Sequence, residues 1–224
     1  MRNLLKSLPL GAEFIFVISV AFGGSILGSL FMAIRPPSGA PVTEPHLWGL
    51  ILNEVVVFGV LGFFLYARDW TFERLGFRFR WSDPLWAFVL VVGVYVAFYA
   101  AWYALSYVPV ALLHTGAPGQ IISPGISPQT VIALVIVNPV FEEVFVAGYV
   151  IAALKDVRGT TFAINVSVVI RLVYHLYQGI SGVLSIIPMG LIFGYWFARK
   201  GRLWPLIAAH ALLDLVPFLY MVKF

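Results

Sequence analysis

Residues 138–150, NPVFEEVFVAGYV, place two adjacent carboxylates, Glu142 and Glu143, inside a stretch apolar enough to cross a lipid bilayer. An ionisable side chain at the centre of a membrane helix costs about 2.5–3.5 kcal/mol on insertion scales, so each one calls for a partner and a function. The other candidates of this kind are Glu54, Arg171, His175, His210 and Asp214. Arg171 and His175 are four residues apart, as are His210 and Asp214, so each pair lies on one helical face, one turn apart. Two helices can thereby aim a histidine at a common point. Glu142 and Glu143 diverge by about 100° around a helix axis, which predicts that one faces the centre while the other reaches a supporting partner. Pro139 removes a backbone donor just upstream, and Asn138 can serve the same polar cavity.

A carboxylate with two imidazoles supports two chemistries. In the first, a glutamate takes a proton from water as general base and the histidines donate to the oxyanion of a tetrahedral intermediate. In the second, Glu142, His175 and His210 ligate a zinc ion that activates the water. Both give hydrolysis of an amide bond, and the residues alone leave the choice open. A covalent intermediate is not suggested, because neither Ser167 nor Thr130 has an adjacent base, and the chain has no cysteine. Glu54, beside Asn53, belongs to no motif and reads as a packing or hydration residue. Tyr174, Tyr177 and Gln178 read as lining at most.

The elements that must position these residues are membrane helices. Of 224 residues 61% are hydrophobic and 11% charged, and the mean hydropathy of +0.96 lies outside the range of soluble domains. Apolar stretches at about 11–34, 47–66, 85–113, 130–154, 159–178, 180–198 and 203–222 predict an all-α, polytopic transmembrane bundle of seven spans, eight at most. Residues 1–224 read as one integral membrane domain, with the first stretch retained as a span because it exceeds a signal-peptide core. On these bounds His175 sits nearer the outer end of its helix than His210, so a common site requires the fifth helix to tilt or its ends to shift.

Eleven of the fourteen basic residues fall in segments on the side of the N-terminus, so the positive-inside rule predicts a cytoplasmic N-terminus. The loops at 35–46 and 114–130 are rich in Pro and Gly, and the inner loop 67–84 mixes aromatics with arginines that suit an anionic leaflet. Trp48, Trp70, Trp81, Trp86 and Trp204 read as interfacial anchors. The spacings Gly24/Gly28 and Gly190/Gly194 read as sites of close helix approach. The lipid bilayer is one implied partner, and nothing resembles a nucleic-acid footprint.

Read in order, FEEVFVAGY, RLVYHLYQG and LWPLIAAHALLD resemble the CAAX-protease and bacteriocin-processing (CPBP/Abi) family of intramembrane proteases, of the type II CAAX prenyl endopeptidase kind. The resemblance covers about residues 130–216, and RLGFR at 74–78 is similar to the family as well. It implies that Glu142 activates the water with His175 as its partner, that His210 and Asp214 form the second half of the site, and that Glu143 supports it. It further implies an endopeptidase acting on a peptide or membrane-protein substrate in a bacterial plasma membrane. Two positions depart from the family pattern. The motif arginine, four residues after Glu143, is Ala147, and the motif Phe, four before His175, is Arg171. The expectation is that Arg171 replaces the missing guanidinium by pairing with Glu143 or Glu142 from the neighbouring helix. Two rival functions fit the same residues: an ion- or proton-coupled transporter, and a catalytically silent binding or immunity protein of the same fold.

Overall fold

A computed structural model describes residues 5–35, 42–107 and 125–221. The seven apolar segments form helices in the predicted order, with one short helix between the second and third, making eight among the described residues. These are α1 (Leu10–Ile34), α2 (Glu44–Ala67), a short α3 (Phe72–Leu75), α4 (Asp83–Leu105), α5 (Pro128–Arg158), α6 (Thr160–Tyr174), α7 (Gly179–Lys200) and α8 (Trp204–Met221). The predicted outer loops fall largely at 36–41 and 108–124, outside the described residues, as does the far end of the predicted 85–113 span. Helix starts follow their local chemistry. Pro45 and Pro84 occupy first turns, and Ser127 caps α5 by accepting from the Thr130 amide at 3.3 Å.

The bundle is an integral membrane assembly in which α1, α2, α4, α5 and α7 are long and apolar enough to cross a bilayer. Helix α5 is its axis. Two thirds of its most apolar window is buried (67%), against 17–44% for the other four. Its first half packs against α2 and α8, and its second half against α6. The two shorter apolar helices, α6 and α8, are the ones that carry the histidines. With 15 residues, α6 rises only about 22 Å, short of the roughly 30 Å hydrocarbon layer. The chain then breaks at His175, forms a 3₁₀ turn (Leu176–Gln178) and continues as α7. The fifth helix therefore ends at Tyr174, four residues before the predicted 178.

A break at that level needs its backbone groups satisfied from within the protein. The Arg171 carbonyl takes a hydrogen bond from His175 Nδ1 at 2.9 Å, and the Tyr177 amide donates to Ser29 Oγ of α1 at 3.0 Å. A second irregularity lies inside α5, where Glu143–Tyr149 forms a π-helical segment between two α-helical parts. The Val146 carbonyl there accepts from Ser167 Oγ of α6 at 2.7 Å. A side chain at Gly148 would place its Cβ 2.8 Å from the Leu75 carbonyl oxygen, so glycine lets α3 seat directly against the widened turn.

Two sequence expectations about packing are corrected. Gly190 and Gly194 do admit close approach: a Cβ would meet Val168 at 3.1 Å and Ile164 at 3.0 Å on α6. Gly24 and Gly28 do not, since among the described residues nothing lies within 4 Å of a Cβ at either. Trp70 is not an interfacial anchor, whereas Trp81 is 93% exposed. The Trp70 indole is buried and donates to Glu13 Oε1 at 3.0 Å, where Tyr149 also donates and Arg68 pairs with the other carboxylate oxygen. That buried knot ties α1 to α5 through the inner loop. A buried Asp83–Arg202 ion pair does the same for α4 and the α7–α8 turn.

Candidate active site

The polar candidates from α5, α6 and α8 meet at one buried point. Arg171, 1% exposed, reaches from α6 across to α5, with Nη1 on Glu142 Oε2 at 3.2 Å and Nη2 on Glu143 Oε1 at 2.7 Å. The two adjacent carboxylates, one ending the α-helical part and the other opening the π segment, share one guanidinium. Each then has its own second partner. Tyr174 donates its hydroxyl to Glu142 Oε2 at 2.6 Å, and Asn138 donates to Glu142 Oε1 at 3.2 Å. Glu143 Oε1 receives His210 Nδ1 at 2.8 Å. Both carboxylates thus meet the same guanidinium, where the sequence predicts one at the centre and one turned to a supporting partner, and they differ in their second partners: Tyr174 and Asn138 for Glu142, His210 for Glu143.

His210 Nε2 lies 3.6 Å from Asp214 Oδ2, one helical turn on, which is an ion-pair distance too long for a hydrogen bond. Glu142, Glu143, Arg171 and His210 are buried, while His175 and Asp214 are half-buried. The accessible side of the cluster is therefore that of His175 and Asp214. With Nδ1 donating to the Arg171 carbonyl, the neutral His175 ring presents Nε2 as an acceptor. The break after α6 is what swings this ring off the helix face. Its neighbours Tyr174 and Tyr177 flank it, with ring centroids at 4.4 and 6.1 Å.

The zinc ion considered from sequence would draw on Glu142, His175 and His210. Among the described residues no three His, Asp or Glu side chains are grouped to hold a metal. Of the trio Glu142, His175 and His210, the last spends Nδ1 on Glu143, and a guanidinium already bridges the two carboxylates. A cation at Glu142 Oε2 or Glu143 Oε1 would compete with Arg171, whereas Glu142 Oε1 and the Nε2 atoms of His175 and His210 are not held by it.

Two participants were not legible as such in the sequence. Tyr174, read only as lining, makes the shortest contact to Glu142, stacked at 4.8 Å on Phe22 of α1. Glu54, read as a packing residue, accepts the other Asn138 N–H at 2.8 Å. Adjacency to His175 is a faint signal for the first, and an acid inside a span is the signal for the second.

Comparison with known proteins agrees with the three-motif resemblance. Residues 125–216 match the family described as type II CAAX prenyl endopeptidase Rce1-like. The chain is also similar to a K(+)-stimulated pyrophosphate-energized sodium pump of Thermotoga maritima, 31% identical over 122 residues. That match covers 50% of this chain and 17% of the pump, so the chain spans under a fifth of that curated relative's length. No solved structure matches the chain.

Proposed function

We propose that the protein is an intramembrane peptidase that hydrolyses a peptide bond with water activated by Glu142. The observation that carries this reading is the convergence of Glu142, Glu143, Arg171 and His210 from three helices at one buried point, with His175 one turn beyond Arg171, inside the stretch that resembles the peptidase family. In a transporter a relay of acids and imidazoles needs a path to both membrane faces; here the buried groups close on one another around a single guanidinium.

Glu142 is the base. Its Oε2 is held by Tyr174 and Arg171, and Oε1 has one long contact, from Asn138, so a lone pair remains for a water proton. That water attacks the scissile carbonyl, and Glu142 passes the proton on to the departing amine. Glu143 and Arg171 are positioning residues: the guanidinium offsets charge on both acids, and Glu143 holds the His210 ring by Nδ1. His210 Nε2, when protonated, is the donor left to meet the oxyanion, with Asp214 orienting His210, while His175 Nε2 is an acceptor that can hold the attacking water by its second proton. No step requires a metal. The basic inner segments favour a cytoplasmic N-terminus in this reading, and the substrate is an extended peptide segment entering from the membrane beside His175 and Asp214.

The test uses purified protein in liposomes with two internally quenched peptides, one carrying a farnesylated cysteine near its C-terminus and one without the lipid. Cleavage of either by wild type, and its loss in Glu142→Gln and His210→Ala, is the expected result. The partial similarity to a sodium pump favours one other reading, ion transport. Substrate-dependent ion flux without cleavage would select it.

A further inference from the structure

Glu54 stands outside every motif and comes from a helix that carries none of the other site groups. It sits on α2, is 4% exposed, and its Oε1 accepts from Asn138 Nδ2 at 2.8 Å. Its Oε2 is buried with no hydrogen-bond partner, and no cation pairs with it among the described residues. An unpaired acid inside a membrane helix burdens the fold, since an apolar residue of similar size would carry no such penalty. Its contribution therefore has to be sought in what it holds.

What it holds is the Asn138 amide. The amide nitrogen has two hydrogens, and both are committed, one to Glu54 Oε1 at 2.8 Å and one to Glu142 Oε1 at 3.2 Å. The shorter bond is the one to Glu54. Turned over, the amide would put its own oxygen against two carboxylate oxygens. Glu54 thus fixes which way Asn138 faces, and Asn138 fixes the oxygen of Glu142 that remains open to water.

We propose that Glu54 is a positioning residue of the site, acting through Asn138 to orient the proton-accepting oxygen of Glu142. The inference rests on the peptidase reading above. It predicts a loss of turnover without a loss of stability, a split that a packing residue would not give. Misplacement of a reacting group by about 1 Å costs on the order of 10²-fold in rate. Glu54→Met is expected to lower kcat roughly 10–100-fold with KM unchanged and with thermal stability equal to or above wild type. Glu54→Gln keeps an acceptor for Asn138 and is expected to restore kcat to within about threefold of wild type, as the amide oxygen replaces the carboxylate.

The experiment measures kcat, KM and thermal stability with the quenched peptide that wild type cleaves, for Glu54→Met, Glu54→Gln, Asn138→Ala, the double variant Glu54→Met/Asn138→Ala, and Glu142→Gln. Because both side chains act through one contact, the double variant is expected to be no slower than the slower single variant. Wild-type kcat in Glu54→Met with an inactive Glu142→Gln would overturn the role of Glu54 and leave the peptidase reading standing. Multiplicative losses in the double variant would do the same. If Glu54→Met fails to fold, wild-type kcat in Asn138→Ala would equally overturn it. Full activity of Glu142→Gln would remove the peptidase reading and this inference with it.

Discussion

Removing Arg171 strands two buried carboxylates, and the structure indicates how unequally. In Arg171→Ala, Glu142 keeps Tyr174 at 2.6 Å and Asn138 at 3.2 Å. Glu143 keeps only His210 at 2.8 Å, and its second oxygen is already without a partner. Breaking a buried ion pair from one side costs about 3–5 kcal/mol, most of it the penalty of the charge left behind. For a chain of this size each kcal/mol shifts the unfolding midpoint by about 2–4 °C, so the variant should melt roughly 6–20 °C below wild type. A second change separates the stranded charge from the cavity left by the arginine stem. Glu143→Gln in the Arg171→Ala background removes the worse-placed charge and should recover about 1–3 kcal/mol, the range of coupling between contacting residues. The assay is thermal unfolding in detergent followed by near-ultraviolet circular dichroism, which the abundant Trp and Tyr make sensitive. A single variant within about 1 kcal/mol of wild type, or a double variant no more stable than the single, would refute the bridging role. The same pair bears on activity. Arg171→Ala should lose cleavage, and Arg171→Ala/Ala147→Arg should regain part of it by supplying the guanidinium from α5; full activity of the single variant would sink the compensation argument.

Other perturbations read other parts of the account. Tyr174→Phe removes a charge-assisted hydrogen bond to Glu142, worth about 1.5–3 kcal/mol, and should lower kcat roughly 10–150-fold with little change in KM; steady-state kinetics with the quenched peptide measure this. Gly194→Ala forces a Cβ to within 3.0 Å of Ile164 and should cost about 1–3 kcal/mol in unfolding free energy, whereas Gly24→Ala, with nothing within 4 Å, should be neutral or slightly stabilising. Cleavage should survive prolonged treatment with 1,10-phenanthroline, since the carboxylates are already bridged by Arg171; loss of activity that added zinc restores would contradict the donor geometry.

What the sequence made legible was periodic, and what it hid was long-range. The helices followed from apolar runs, and the pairs Arg171/His175 and His210/Asp214 from a four-residue spacing that survives any tilt of the helix. Arg171 was legible through its departure from the motif, and it meets both glutamates. The π segment at Glu143–Tyr149 was not, because one extra residue per turn leaves no mark in hydropathy. The early end of α6 was hidden for the same reason: LYQG continues the apolar run while the backbone turns at His175. Glu54 and Asn138 are 84 residues apart, and Glu13 and Tyr149 are 136 apart, so no local pattern links either pair. Trp70 shows the converse, since position near a span end pointed to the headgroup layer and the Glu13 carboxylate draws it inward.

The central claim is that Glu142 activates a water molecule which then cleaves a peptide bond within the membrane. Its most direct test is cleavage of the quenched peptide in water enriched in ¹⁸O, by wild type and by Glu142→Gln in the same liposomes. The account predicts one ¹⁸O in the new C-terminal carboxylate and a rate for Glu142→Gln lower by about 10²–10⁴-fold, the contribution of a general base. Equal rates for the two proteins, or ion flux with no cleavage by either, would contradict it.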